Sequence, residues 1–123
     1  DFRPEIVADQ KIKKNPDEDT LTLKLVKTDD ILKTIGSQKK DNQLVVGFAL
    51  ETEHGLTNAK KKLHTKNIDI IVLNEMNEAG VGFKTKTNKI TVITKNDVIH
   101  EFDLKPKNEV ASDLTNVIYQ YMK

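Results

Sequence analysis

Apolar and polar positions follow three different periodicities along this chain, and each predicts a different kind of element. Residues 44–50 and 68–73 are nearly continuous apolar runs, which is typical of strands buried on both faces of a sheet. Between about residues 53 and 66, apolar side chains recur every three or four positions, which predicts a helix. A strand, a helix and a strand joined by short connections predict a parallel pair with a crossover helix.

Strict alternation predicts further strands. Residues 20–27 place three leucines at every second position, which indicates a half-buried strand. Residues 89–94 and 98–104 also alternate, and the turn residues Lys95, Asn96 and Asp97 lie between them, so we predict a β-hairpin.

Two more helices follow from spacing and end signals. A short helix after Asp30 would end at Gly36, and a longer one is predicted over residues 108–122, just after Pro106. The apolar face of the longer helix consists of Val110, Leu114, Val117, Ile118 and Tyr121. The predicted fold class is therefore α/β, with a parallel core and an antiparallel hairpin at its edge.

The polar stretch at residues 5–19 predicts a loop or flap rather than a packed element. We assign the flap and a dimerisation strand to about residues 5–27 and an α/β core to about residues 28–123. The sequence begins with Asp1 rather than methionine. We therefore expect a segment of a longer protein and an incomplete domain.

Composition removes several classes of function. The 20 basic and 19 acidic residues leave a net charge of +1, so no strong field would attract nucleic acid or an anionic membrane. Cysteine is absent, which excludes disulfides and thiolate chemistry, and His54, His64 and His100 match no metal-ligand spacing. No apolar run approaches the roughly 20 residues of a membrane span. We expect a cytoplasmic protein without its own metal site, nucleic-acid partner or membrane contact.

Lysine placement is the most informative chemical feature. Lys62 and Lys66 are four residues apart on the predicted helix, so they would project from one face. No acidic residue between positions 55 and 66 would neutralise them. A bound polyanion would explain this cluster, and so would an ordinary solvated helix face.

Other candidates also allow two interpretations. Lys11, Lys13 and Lys14 would suit a lid over phosphates or an ordinary exposed loop. Phe48 ends a buried strand, at the sheet edge where α/β ligands bind, so it would stack on a base or lie in the core. Asp29 and Asp30 also occupy positions that favour helix capping. No glycine-rich phosphate loop of either common pattern is present.

These features occur in an order that resembles the C-terminal half of phosphopantothenoylcysteine synthetase (phosphopantothenate–cysteine ligase), which is often fused to a flavin-dependent decarboxylase. The matching stretches run from residue 1 to about residue 88. They are Asp1-Phe2-Arg3-Pro4, Lys11-Ile12-Lys13-Lys14, 21–27 with Asp29-Asp30-Ile31-Leu32, Val45-Val46-Gly47-Phe48-Ala49 with Glu51-Thr52, Asn58-Ala59-Lys60 through Lys66-Asn67-Ile68-Asp69, Asn74, Gly82-Phe83 and Asn88.

The resemblance implies a three-layer, Rossmann-like fold and a homodimer. It implies a ligase that uses CTP, 4′-phosphopantothenate and cysteine, with Mg²⁺ held by the nucleotide phosphates. FMN would be present only with a fused upstream decarboxylase. An acyl-cytidylate would form first, and the amine of cysteine would then displace CMP.

The resemblance also implies roles for individual residues. The residues that would line the nucleotide site are Asp1, Asp29, Asp30, Ile31, Leu32, Phe48, Lys62 and Lys66, and Lys11 would be the catalytic flap residue. Two positions depart from the family pattern, because Leu50 replaces a small residue and Asp29 stands where proline is common. The family's upstream half, with its glycine-rich nucleotide loop and an asparagine associated with the acyl-cytidylate, is absent from this sequence.

Two other classes of function remain open at this point. The chain would also suit a non-catalytic nucleotide- or anion-binding module, or a structural dimerisation domain. Binding of CTP would distinguish a nucleotide-binding module from a dimerisation domain. Formation of the amide would distinguish the ligase from both of these modules.

Overall fold

A computed structural model of the chain describes residues 1–14, 16, 17, 19–75 and 86–123. These residues form two compact units, Asp1–Ile31 and Leu32–Lys123. The Gly82-Phe83 match lies outside the described residues.

The first unit is built on a small antiparallel pair. Strand β1 (Phe2–Pro4) pairs with β2 (Leu25–Lys27), in a register that places Arg3 opposite Val26. The prediction of a strand over residues 20–27 was therefore too long, since only its last three residues are in the strand. Alternation alone does not make a strand, because the backbone groups need a partner and β1 is only three residues long.

The predicted half-burial of this strand is also wrong. Leu21, Leu23 and Leu25 are 66%, 58% and 52% exposed. The described part of the loop at residues 5–19 contains neither helix nor strand, as the polar pattern predicted.

The second unit contains a mixed four-stranded sheet in the order β3-β4-β6-β7. Its strands are β3 (Val46–Glu51), β4 (Ile70–Glu75), β6 (Ile90–Thr94) and β7 (Ile99–Glu101). Strands β3 and β4 are parallel and are connected by helix α2 (Gly55–Thr65), which confirms the predicted strand–helix–strand unit. The predicted hairpin is confirmed as β6 and β7, with a second arm shorter than residues 98–104.

A second small sheet was not predicted. Strands β5 (Thr87–Asn88) and β8 (Lys105–Pro106) pair antiparallel beside helix α3 (Lys107–Tyr121). Two-residue strands are too short to produce a recognisable alternation, so the sequence pattern does not reveal them.

Helices cover both faces of the main sheet and produce the three layers that the resemblance implied. Ala59 and Leu63 of α2 pack in one cluster with Ile71 and Leu73 of β4. The opposite cluster consists of Ile70, Val72, Ile90, Val92, Val110 and Val117, the last two from α3. Neighbouring β4 residues thus enter opposite clusters, as expected for a strand buried on both faces. The α/β fold class is confirmed.

Strand β3 differs from its prediction, because it is not buried on both faces. Phe48 is 66% exposed and Leu50 is 44% exposed, whereas Gly47 and Ala49 are buried. Among the described strands, β3 is at the edge of its sheet and has β4 as its only neighbour. An apolar run alone does not distinguish a central strand from an edge strand.

Helix α1 (Ile31–Gln38) continues past Gly36, which was predicted to end it. A Cβ atom on Gly36 would lie 1.9 Å from the Lys66 carbonyl oxygen, so glycine is needed for close packing rather than for termination. Asn67 donates from Nδ2 to the Gly36 carbonyl oxygen at 2.9 Å. An ion pair between Lys39 and Asp69 fastens the segment after α1 to the start of β4.

Candidate functional site

Asp1 and Asp29, two of the predicted nucleotide-site residues, lie at the same end of the β1/β2 pair. The Thr28 N–H donates to the Asp1 carbonyl oxygen at 3.1 Å, which extends the strand pairing by one residue. Both carboxylates are exposed. The structure thus brings together two residues that are 28 positions apart in the sequence.

Asp30, Ile31 and Leu32 lie at the start of α1. Ile31 is 71% exposed, whereas Leu32 is half-buried and packs against the core cluster under α2. Of this stretch, Leu32 has a clear structural role, and Asp30 and Ile31 remain accessible.

Lys11 lies in the irregular loop of the first unit and is exposed. The residues that follow it line a cavity of about 540 Å³ within this unit. That cavity is bounded by Ile12, Lys13, Lys14, Pro16, Asp19, Thr20 and Leu21. The loop therefore presents ammonium groups beside a concave surface, and its role as a flap stays a prediction.

Phe48, Leu50 and Asn74 lie toward the carboxyl ends of β3 and β4. Leu50 and Asn74 are direct neighbours in the parallel register. Because side chains alternate along a strand, Phe48 and Leu50 project from the same face. The Oδ1 atom of Asn74 is buried and has no hydrogen-bond partner among the described residues. Phe48 is 66% exposed, so its ring does not lie in the core, and its stacking on a base stays a prediction.

Lys62 contacts the end of the neighbouring strand. Its Nζ donates to Oε1 of Glu51 at 2.5 Å, and Nδ2 of Asn58 donates to Oε2 of the same carboxylate at 3.2 Å. The Lys62 ammonium, with a smaller contribution from Asn58, holds the pKa of Glu51 below its ordinary value of 4.5. Glu51 is therefore ionised at neutral pH, and its charge is balanced by Lys62.

Two lysines of α2 thus have acidic partners, although the sequence has no acidic residue between positions 55 and 66. Glu51 pairs with Lys62, and Oδ1 of Asp97 lies 3.7 Å from Nζ of Lys60. Both carboxylates come from outside the helix, from the end of β3 and from the β6–β7 turn. Spacing within a helix does not reveal partners contributed by neighbouring strands.

Lys66 lies one residue beyond the end of α2 and is half-buried. Its backbone N–H still donates to the Lys62 carbonyl oxygen at 3.0 Å, so the helical spacing of the two residues persists in the backbone. Phe48 and Glu51 are three positions apart on β3 and therefore project from opposite faces of the sheet. Phe48 and Lys62 consequently approach the outer edge of β3 from different sides.

The start of α2 was missed as a candidate feature. Its N-cap residue, His54, has a left-handed backbone with φ of 53° and makes no side-chain capping bond. The first turn contains no acidic residue. Histidine adopts this conformation more readily than most residues, so only backbone geometry reveals it. The N–H groups of this first turn remain available to an anion.

No metal centre is found among the described residues, since no three His, Asp or Glu side chains lie close enough to hold an ion. Within the same part of the chain, no helix combines the length and apolar character needed to cross a membrane.

Comparison with known proteins identifies close relatives. The Coenzyme A biosynthesis bifunctional protein CoaBC of Vibrio cholerae is 39% identical over 122 residues, which cover 99% of this chain and 30% of the relative. A protein named Cysteine/Cysteine sulfinic acid decarboxylase, from an unknown prokaryotic organism, is 48% identical over 118 residues. That match covers 96% of this chain and 32% of the relative. The chain therefore spans about a third of the length of the curated relatives it matches.

A solved structure supports the same relationship. It is described as the crystal structure of the C-terminal domain of CoaBC, and it matches with a TM-score of 0.70 and 33% sequence identity. The match covers 96% of this chain and 47% of that domain. The resemblance inferred from the sequence motifs is thus confirmed.

The family described as DNA/pantothenate metabolism flavoprotein C-terminal domain matches residues 1–122, almost the whole chain. Because this match agrees with the sequence motifs, the relatives and the three-layer fold, we conclude that the chain belongs to the DNA/pantothenate metabolism flavoprotein C-terminal domain family.

Proposed function

We propose that the protein containing this chain is a CTP-dependent phosphopantothenate–cysteine ligase of coenzyme A biosynthesis, and that this chain contributes part of its active site. The observation that supports this most strongly is the family match over residues 1–122. Residue spacing alone left a binding module or a dimerisation module equally open. We expect the ligase to act in the cytoplasm.

The reaction has two steps. A carboxylate oxygen of 4′-phosphopantothenate attacks the α-phosphorus of CTP, the bond to the β-phosphate oxygen breaks, and pyrophosphate leaves. The amine of cysteine then attacks the acyl carbon and loses a proton, and CMP leaves with the original carboxylate oxygen. Both steps depend mainly on positioning and on neutralisation of phosphate charge, so no protein nucleophile is required.

Nucleotide contacts are proposed for the residues at the start of the chain and at the start of α1. Asp1, Asp29, Asp30, Ile31 and Leu32 line the nucleotide site, and Lys11 neutralises charge that develops on the phosphates. Their accessibility in the first unit and at the start of α1 is consistent with these roles, apart from Leu32, which contributes through packing.

Further nucleotide contacts are proposed for residues of β3 and α2. Phe48 would lie against the nucleotide, and its 66% exposure leaves the ring free to do so. Lys62 and Lys66 would bind the nucleotide from α2 and from the residue that follows it. Phe48 and the start of α2 lie toward the carboxyl end of β3, where α/β proteins bind ligands, whereas Lys66 follows the other end of α2.

Mg²⁺ would be held by the nucleotide phosphates rather than by protein ligands. When bound, the ion would neutralise phosphate charge and stabilise the leaving pyrophosphate.

We also propose that the complete protein is a homodimer through the surface that contains Leu21, Leu23 and Leu25. Leu25 in β2 and the two leucines before it are all exposed, and a soluble protein rarely leaves such apolar side chains uncovered as a group. A second copy would cover both surfaces at once across a two-fold axis.

The name of one relative favours a second candidate activity, which is decarboxylation of cysteine. That relative is three times as long as this chain, so such chemistry would belong to a preceding flavin domain. FMN would accordingly be bound only if this chain is fused to one. The two activities are compatible with a single bifunctional protein.

Product analysis tests the proposal. The complete protein, with the region that precedes Asp1, is incubated with phosphopantothenate, cysteine, CTP and Mg²⁺, and the products are identified by mass spectrometry. We expect phosphopantothenoylcysteine that depends on CTP. Binding of CTP without amide formation would favour the non-catalytic module. Carbon dioxide release from cysteine, again without amide formation, would favour the decarboxylase.

A further inference from the structure

The carboxylate of Glu51 is held from two directions by helix α2. Lys62 donates to one oxygen at 2.5 Å and Asn58 donates to the other at 3.2 Å. Asn58 is itself oriented, because its Nδ2 also donates to the Glu53 carbonyl oxygen at 3.2 Å. Glu51 thus ends β3 with both of its oxygens fixed.

This ion pair is unlike the other one on the same helix. The Glu51 side chain is 13% exposed and Lys62 is 42% exposed, so the carboxylate lies beneath the ammonium and the ammonium faces solvent. Lys60 and Asp97 are 40% and 59% exposed and are 3.7 Å apart. Of these two pairs on α2, the Glu51–Lys62 pair is the one that combines a short contact with a shielded carboxylate.

The consequence for Lys62 is a fixed orientation. A lysine side chain has several rotatable bonds and loses considerable entropy when a ligand immobilises it. Here the ammonium is already held, and one of its three N–H donors is used by Glu51. Two donors remain for a ligand on the solvent side.

The pair also has no net charge. The pKa of Glu51 is lowered by the contact, so the carboxylate stays ionised and cancels the charge of Lys62. Lys62 would therefore attract a distant phosphate weakly, and its contribution would come from directed hydrogen bonds.

We infer that Glu51 is a positioning residue that orients the Lys62 ammonium toward the nucleotide phosphates. The inference rests on the proposed ligase function and assigns Glu51 a role that sequence spacing did not reveal. Glu51 acts only through Lys62 and does not touch the substrate.

A double-mutant cycle on the complete protein tests this role. Lys62→Ala should raise the KM for CTP about tenfold, which corresponds to the loss of one charge-assisted contact. Glu51→Ala should raise it about fivefold, because Lys62 must then be ordered on binding. The double variant should be no worse than Lys62→Ala alone, since Glu51 has nothing left to position. The KM for cysteine should not change in any of the three.

Two controls separate positioning from folding and from general charge effects. Glu51→Gln keeps the shape and the hydrogen-bond acceptor, so its KM for CTP should stay within about twofold of wild type or fall below it. Asp97→Asn removes the carboxylate opposite Lys60 and should leave both KM values unchanged.

The outcomes are distinct. Three results would each overturn the positioning role. The first is an unchanged KM for CTP in folded Glu51→Ala, and the second is a double variant in which the two effects add. The third is a Glu51→Gln variant whose KM for CTP rises as much as that of Glu51→Ala. A wild-type protein that makes no amide with CTP would instead overturn the proposed ligase function. If Glu51→Ala does not fold, Glu51→Gln tests the positioning role in its place. A several-fold rise in the KM for CTP of Glu51→Gln would contradict positioning through the hydrogen bond.

Discussion

At the scale of single residues, a substitution at Gly36 tests whether close packing of α1 requires glycine at this position. In Gly36→Ala the new Cβ would lie 1.9 Å from the backbone oxygen of Lys66, and a backbone atom moves only if the α1–sheet packing opens. Alanine is the better helix former by about 0.5–1 kcal/mol, but overpacking costs about 1–3 kcal/mol. We expect a net loss of stability, measured as a lower midpoint of urea unfolding.

Gly47 is the matched control for this substitution. A Cβ there would meet Leu32 Cδ2 at 2.7 Å and Ile68 Cδ1 at 2.8 Å, which are the ends of side chains that rotate. Gly47→Ala should therefore lower the unfolding midpoint less than Gly36→Ala. The close-packing account fails if Gly36→Ala is as stable as the wild type.

Glu51 gives a pH-dependent prediction at the same scale. Its folded-state pKa lies below the ordinary value of 4.5, so the ionised carboxylate stabilises the fold above pH 4.5. This stabilisation is lost as the pH falls through the lowered pKa. The difference in unfolding free energy between wild type and Glu51→Gln should therefore shrink below pH 4.5. Urea titrations at several pH values measure it, and a difference that is constant with pH would contradict the account.

At the scale of elements, the exposed leucines in and just before β2 allow the proposed dimer surface to be tested. Leu23, just before β2, is 58% exposed, so Leu23→Asp should not disturb the fold of the chain. If this surface joins two copies, the variant should sediment as a folded monomer while the wild type sediments as a dimer.

A control for Leu23→Asp is available in the hairpin between β6 and β7. Val98 is 50% exposed, and Val98→Asp introduces the same charge on an apolar site of similar exposure. This variant should remain dimeric. A Leu23→Asp protein that is still a dimer would show that the subunits meet elsewhere.

The elements also show which sequence patterns were sufficient to predict the fold. The periodicities of β3, α2 and β4 predicted the parallel unit, and the apolar face of α3 is the face that enters the core. These signals are strong because each element is long enough to repeat its pattern. Strand β2 was overestimated because its length is set by β1, a partner of three residues that no alternation marks.

The candidate site was less predictable than the fold. The resemblance selected Asp1 and Asp29, and the structure places them at one end of β1/β2, which is a long-range consequence of strand register. The pairing of Lys62 with Glu51 was missed, because the carboxylate is contributed by a strand end rather than by the helix. The exposure of Phe48 was also not predicted from the sequence, because it depends on whether β3 has a second neighbouring strand.

At the scale of the whole molecule, Lys11 and Lys62 should affect different kinetic constants. A flap ammonium is most effective when charge builds up on the phosphates, so Lys11→Ala should chiefly lower kcat, by about 10²-fold or more. Steady-state kinetics with CTP as the varied substrate measures this. Lys13→Ala, a neighbouring loop lysine, is the control and should have a smaller effect. Turnover by Lys11→Ala within about twofold of wild type would make Lys11 an ordinary loop residue.

The central claim is that the complete protein joins phosphopantothenate to cysteine through an acyl-cytidylate, and oxygen transfer tests it most directly. Phosphopantothenate labelled with ¹⁸O in its carboxylate is turned over with CTP and cysteine, and the nucleotide product is examined by mass spectrometry. The account predicts CMP that carries one ¹⁸O atom, because the attacking carboxylate oxygen remains on the α-phosphorus. Amide formation with unlabelled CMP, or with the label in inorganic phosphate, would contradict it.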